Sequence, residues 1–329
     1  MQLYINTYGT SLKIKEGILS IKKDEKINTV PLAKLKTIFV TKSVLLSTDV
    51  LYECLNFGVD LVICERNGQP IGRLWNNKFG SISTIRKRQL IFSKSDQVTA
   101  WVTRQIADKI NNQMDLLRCF LSTEEAHRKE IFKTLGKLEE SKEKILALSE
   151  MPLQEAGPKI RSKEGYASKN YYQCVNIHLP FKYQFESRSR RPALDMVNAM
   201  LNYAYGILYG HLEAALIKAG LDPFIGFFHR DEHNRPVLTY DLIEPFRPWA
   251  DWVVFHLCLN EAISESQFEM DEGGYWLAGE SKRLLIQHFA DFFDEIIDYK
   301  EKRFTRLLHL EKAAFELSSY LELVVPDIK

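Results

Sequence analysis

The chain predicts an α+β, multidomain protein: a small, mainly β N-terminal domain and a larger all-α C-terminal domain. Three observations carry this. Its 329 residues exceed what one compact domain usually holds. Residues 2–75 are short runs rich in β-branched side chains, separated by Gly, Asp and Lys turns. From Ser95 onward the apolar spacing becomes that of amphipathic helices.

In order, LYINT, SLKIKEG, ILSIKKD, INTVPL and LKTIFVTKS read as strands. Ser47-Thr48-Asp49 opens a short helix, VLYECLNFG, which Gly58 stops. VDLVICE is an apolar strand, and Asn67-Gly68 is a hairpin turn leading into QPIGRLW. NNKFGSISTIRKRQ is polar and basic and reads as a linker. The division expected is therefore 1–80 for the β-rich domain, 81–94 for a hinge and 95–329 for the helical domain. In the latter, Val98, Trp101, Val102, Ile106, Ile110, Met114, Leu117 and Phe120 share one helical face. A charged helix follows over roughly Glu124–Ser149, and MPLQEAGPKI breaks the pattern. Further helices are expected at about 192–219, 240–265 and 280–320, with Gly220 as a stop and Asp222-Pro223 as the next start.

The net charge is only +1, so composition alone argues mildly against nucleic acid, although placement rather than the sum sets the local field. Five cysteines without CxxC spacing read as reduced thiols of a cytoplasmic protein. The N-terminus lacks the apolar core of a signal peptide, and no run has the length of a membrane span. HExxH, Walker A, GxGxxG and GxSxG are all missing, which withdraws support from zincins, nucleotide hydrolysis, dinucleotide binding and serine hydrolases.

Four side chains attract attention: Glu164 in EGYASKNYY, His229 after the apolar IGFF, and Asp241 with Glu244 in TYDLIEPFR. Taken singly, each has an ordinary reading. Glu164 suits a charged turn, His229 a satisfied core histidine, and D-x-x-E a helix-capping pair. Taken together, Glu164, His229 and Glu244 form an oxygen-rich set with one imidazole, suited to Mg²⁺ or Mn²⁺ and phosphoryl chemistry. The spacing of three puts Asp241 and Glu244 on one side of a helical turn, so one can bind metal while the other orients it. Two short basic clusters, one holding Arg86 and Arg88 and the other Arg188, Arg190 and Arg191, are solvated surface in the ordinary reading. In the functional one they contact phosphates, with nearby aromatics stacking on bases.

Four segments, in this order and spacing, resemble one family: EGYASKNYY (164–172), NAMLNYAYGIL (198–208), GLDPFIGFFH (220–229) and RPVLTYDLIEPFRP (235–248). They are similar to the E-G-x-A-A-x-x-Y-F, N-A-L-L-N-Y-x-Y, G-L-D-P-x-x-G-x-x-H and R-P-x-L-x-x-D-L-x-E-P-F-R segments of the CRISPR-associated spacer-acquisition integrases. Ser168 and Tyr172 are mild departures. The N-terminal β pattern also fits, so the resemblance spans nearly the whole chain.

The resemblance implies a β-sandwich-like N-terminal dimerisation domain, a flexible hinge and a helical catalytic domain. It implies Glu164, His229 and Glu244 as ligands of Mg²⁺ or Mn²⁺, Asp241 as an auxiliary group, and Tyr171 and Asn198 as residues positioning DNA or ligands. It further implies a homodimer, two of which clamp a dimer of a small ferredoxin-like partner. The assembly would insert a double-stranded DNA fragment into a repeat array by 3′-OH attack on a phosphodiester. A metal-dependent nuclease for branched DNA and a non-catalytic DNA-binding scaffold remain the alternatives.

Overall fold

The computed structural model describes residues 1–74, 82–120, 125–229, 235–271 and 274–325. The N-terminal part is two four-stranded sheets. Its elements are β1 (Gln2–Ile5), β2 (Ser11–Lys15), β3 (Ile18–Lys23), β4 (Lys26–Pro31), β5 (Thr37–Val40), β6 (Leu45–Leu46), α1 (Thr48–Phe57), β7 (Asp60–Cys64) and β8 (Pro70–Leu74). One sheet runs β1-β5-β7-β8, with the first three parallel. The other runs β4-β3-β2-β6, an antiparallel meander with β6 added parallel to β2. Alternation places Leu12 and Leu19 of one sheet and Ile5, Ile38 and Val40 of the other in a common core, closed by Val50 and Cys54 of α1. Gly58 ends α1 with φ +66°, a left-handed cap that side chains resist.

The segment read as a hinge is largely helical: α2 spans Ile82–Phe92. Ile85, Gln89 and Phe92 are buried at helical spacing. Gln89 Nε2 donates to the carbonyls of Asp222 and Ile225, both at 2.8 Å, and Phe92 meets Phe227 and Tyr320 edge-on. The basic residues on the outer face hid this narrow inner stripe. NNKFGS, where the expected boundary falls, lies outside the described residues.

The C-terminal part continues with α3 (Val98–Cys119), α4 (Glu125–Leu146), α5 (Leu153–His178), α6 (Met196–Lys218), α7 (Val237–Leu242) and α8 (Arg247–Leu259). It then adds β9 (Phe268–Asp271), β10 (Gly274–Leu277), α9 (Gly279–Asp294), β11 (Ile296–Tyr299), β12 (Lys302–Thr305) and α10 (Arg306–Val324). Helix α6 is buried on all sides and forms the axis of the domain. Two differences from the periodicity stand out. The helix expected over 240–265 breaks into α7, a 3₁₀ turn at Glu244–Phe246 and α8, because Pro245 and Pro248 cannot donate backbone hydrogen bonds. Antiparallel ribbons β9–β10 and β11–β12 interrupt the helical region, the second dividing the helix expected over 280–320.

The two parts are joined tightly. The turn between β7 and β8 lies against α6, where a Cβ on Gly206 would stand 2.6 Å from the Gly68 carbonyl carbon. Arg73 donates to the Gly210 carbonyl at 2.7 Å, and Arg191 bonds Glu65 and Gln69 at 2.9 and 2.6 Å. Among the described residues, no helix is long and apolar enough to cross a membrane.

Candidate active site

After α6 the chain turns back, and the backbone N–H groups of Phe227, Phe228 and His229 converge on the Asp241 carboxylate of α7 at 2.6, 3.0 and 2.9 Å. His229 Nδ1 lies 2.6 Å from Asp241 Oδ1. A carboxylate accepts, so the contact with Asp241 fixes Nδ1 as a protonated donor of the ring. Asp241 is buried and is spent on the loop and the ring rather than on a helix cap.

Glu244 projects from the 3₁₀ turn that Pro245 creates, and it is 3% exposed. Its Oε1 accepts from Arg247 Nε at 2.8 Å, and its Oε2 lies 2.7 Å from Lys109 Nζ of α3. The same ammonium is ion-paired with Glu164 Oε1 of α5. Burial alone would raise the Glu244 carboxyl, but Arg247 and Lys109 outweigh it and hold the group well below its ordinary range. Burial likewise disfavours the Lys109 ammonium, yet Glu164 and Glu244 hold it above its ordinary value.

Glu164, His229 and Glu244 line one cavity of about 510 Å³, together with Lys109, Arg188 and Arg247. They do not close on a single point: among the described residues no three His, Cys, Asp or Glu side chains are grouped to hold a metal ion. Lys109 stands between the two glutamates instead. A second cavity of about 560 Å³ shares Arg188, Arg190, Tyr205, His229 and Arg247 with the first and adds Arg191 and Arg235. Its lining is strongly basic, although the chain as a whole is nearly neutral.

Several expected DNA contacts are placed elsewhere. Tyr171 is fully buried and donates to Asp251 Oδ2 at 3.0 Å, so it braces the cavity wall from behind. Asn198 is also fully buried; its Oδ1 accepts from Arg188 Nη1 at 2.8 Å and from the Ser189 N–H at 2.9 Å. Arg188 is half-buried, held by Asn198, by Asn202 at 2.7 Å and by the Tyr205 ring. Arg190 and Arg191 are exposed. Arg88 turns inward beside Glu322, and Arg86 covers Asp222; neither lines these cavities.

Residue-by-residue reading missed Lys109, Arg247 and the network around Asp251. Tyr205 donates to Asp251 Oδ1 at 2.5 Å and bonds Tyr172 at 2.8 Å. Burial pushes the Asp251 carboxyl up to about 6, although the Tyr205 and Tyr171 hydroxyls pull it down. A signal for Lys109 did exist: it shares the apolar face of α3 with Ile106, Ile110 and Gln113, where a lysine needs a buried anion.

Known proteins resemble this chain in both sequence and fold. The CRISPR-associated endonuclease Cas1 1 of Archaeoglobus fulgidus is 31% identical over 315 residues, covering 91% of this chain and 90% of that protein. A casposase bound to integration product superposes with a TM-score of 0.80 at 19% identity, over 100% of this chain and 92% of that one. A Cas6-RT-Cas1–Cas2 complex gives a TM-score of 0.81 at 22% identity, over 98% of this chain and 35% of that one. At such identities the two structures speak for the fold, while sequence decides descent. Because the profile described as CRISPR associated protein Cas1 matches residues 3–291, the chain belongs to the Cas1 family.

Proposed function

We propose that this chain is a metal-dependent DNA endonuclease and integrase, which inserts short duplex fragments into a CRISPR repeat array through 3′-OH attack on a phosphodiester. The observation that carries the reading is one cavity lined by two glutamates, an imidazole and several arginines. Cation-binding and phosphate-binding groups thus sit side by side. The Archaeoglobus relative is described as an endonuclease and the casposase structure as an integration product, which supports both halves of the activity.

Glu164, His229 and Glu244 are the residues that would hold a divalent ion, Mg²⁺ or Mn²⁺. The donor set fits: the carboxylate oxygens of Glu164 and Glu244 and an imidazole nitrogen of His229 line one cavity, where Lys109 is the cation that pairs with both carboxylates. When bound, such an ion stabilises the charge that builds on the phosphoryl oxygens. The protein's own part is positional. Asp241 fixes the His229 ring, Arg247 fixes Glu244, and the Asn198–Asn202 pair aims Arg188 into the cavity. Strand transfer forms one phosphate ester as another breaks, so it needs no nucleotide cofactor, in keeping with the missing Walker motif.

A labelled duplex with free 3′-OH ends, incubated with repeat-array DNA, tests this. Branched product is expected. Cleavage without branched product would favour a nuclease for branched DNA, and binding without either reaction would favour a scaffold.

Phosphate affinity is assigned to the exposed arginines. Arg190→Ala with Arg191→Ala is expected to weaken duplex binding and to flatten its salt dependence by about 0.9 for each phosphate no longer neutralised. A slope of log Kd against log salt equal to wild type would remove these residues from the interface. Arg188 is left out of this test because its side chain also supports the wall.

Assembly belongs to the same reading. We place a homodimer contact on the N-terminal domain, and a small ferredoxin-like partner protein between two such dimers. Ile27 of β4, Leu45 of β6 and Tyr52 of α1 are 59, 73 and 67% exposed and are apolar side chains of this domain that such a contact could cover. Light scattering at micromolar concentration is expected to give the mass of a dimer; a clean monomer would oppose it.

A further inference from the structure

Lys109 occupies an unusual position. Its side chain is 7% exposed, its ammonium is ion-paired to Glu164 Oε1, and it lies 2.7 Å from Glu244 Oε2. Two of the three groups assigned to a divalent ion are therefore already engaged by a cation of the chain itself. An ammonium and a divalent ion cannot share these oxygens closely without strong repulsion in a buried setting. Arg247 adds to it, being fixed on Glu244 Oε1 at 2.8 Å. For an ion to bind, Lys109 must turn away, and a buried ammonium that loses its anions is costly unless another anion receives it. The same cavity holds Arg190, one of the two arginines assigned to phosphate, and lysine's flexible stem permits such a turn.

We propose that Lys109 passes its ammonium between the Glu164–Glu244 pair and a substrate phosphate, making divalent-ion binding and DNA binding mutually cooperative. The inference rests on the assignment of Glu164, His229 and Glu244 to the ion. Cooperativity follows from linkage: if the phosphate releases the carboxylates for the ion, the ion releases the ammonium for the phosphate by the same factor. A lysine that merely neutralised the glutamates would not produce this. Its loss would change ion affinity equally with and without DNA.

The test is Mn²⁺ titration followed by electron paramagnetic resonance, with and without a duplex ending in 3′-deoxynucleotides, which cannot attack. Wild type is expected to bind Mn²⁺ on the order of tenfold more tightly with the duplex. Lys109→Gln is expected to bind Mn²⁺ more tightly than wild type in the absence of duplex, with the duplex gain reduced to about twofold or less. Lys109→Arg keeps the charge and is expected to keep the gain. A Lys109→Gln protein with wild-type affinity and an undiminished gain would overturn the proposal. The wild-type titrations need no variant, and a missing duplex gain there would overturn it as well. Glu164→Gln and Glu244→Gln separate the ion assignment from the exchange. If they bind Mn²⁺ as wild type does, the ion assignment fails. If they lose Mn²⁺ while Lys109→Gln matches wild type, only the exchange fails.

Discussion

Glu164→Ala, His229→Ala and Glu244→Ala are each expected to lose strand transfer and cleavage by on the order of 10²–10³-fold or more, while duplex binding persists. The expectation comes from the division of labour proposed above for the cavity. Glu164, His229 and Glu244 line the same cavity as Arg188 and Arg190. On that proposal, affinity for DNA arises from arginines meeting phosphates, which the alanines leave in place. On the same proposal, lowering the barrier depends on the carboxylates and the imidazole as a unit, so one loss should cost nearly as much as several. Asp241→Ala should be milder, roughly 10–100-fold, if His229 keeps part of its orientation. Folding must be checked for Glu244→Ala in particular, because it leaves Lys109 and Arg247 buried with one anion fewer. A folded Glu244→Ala protein with near wild-type strand transfer in Mn²⁺ would end the assignment.

A large effect on stability is expected at Gly206. Its added methyl would stand 2.6 Å from the Gly68 carbonyl carbon, 2.8 Å from the Gly68 oxygen and 2.9 Å from the Gln69 nitrogen. These are backbone atoms of a tight turn, with Gly68 N bonded to the Glu65 carbonyl at 2.9 Å, so they cannot yield as a side-chain tip would. Gly206→Ala should destabilise by about 3 kcal/mol, at the upper end for overpacked sites. It should also loosen the Arg191 bonds to Glu65 and Gln69. Gly136→Ala in α4 is the control. Its added methyl meets nothing within 4 Å, and it should gain roughly 0.5–1 kcal/mol from helix propensity. Thermal melts of the two variants should move in opposite directions. A Gly206→Ala protein melting with wild type would mean that the two domains separate more freely than this contact allows.

Legibility in the sequence depended on whether a pattern was local. Alternating strands, the Gly58 stop, the Asn67-Gly68 turn and the apolar face of α3 are set by neighbours a few residues apart, and all occur. Helix α2 escaped notice because its inner stripe is only Ile85, Gln89 and Phe92, and Gln89 is buried through hydrogen bonds to a loop 133 and 136 residues away. The ribbons β9–β10 and β11–β12 are four-residue strands, too short to show a period. In the site, Glu164, His229 and Glu244 were found from segment resemblance, since each alone is an ordinary residue. Lys109 lies 55 residues before Glu164 and 135 before Glu244. Nothing local announces such a pairing except the oddity of a lysine on an apolar face.

The Asp241 carboxylate carries a consequence for judging divergent relatives. It receives three backbone N–H groups and one ring N–H. An asparagine there would offer one acceptor oxygen and turn an NH₂ toward the remaining donors. The loop would open and the His229 ring would lose its fixed tautomer, although every residue assigned to the ion was still present. A relative that keeps the counterparts of Glu164, His229 and Glu244 but not of Asp241 would pass a motif count and still be expected to work roughly 10–100-fold less well. Screening genomes for working members of this family therefore calls for a four-position test, with the fourth position holding the loop and the ring.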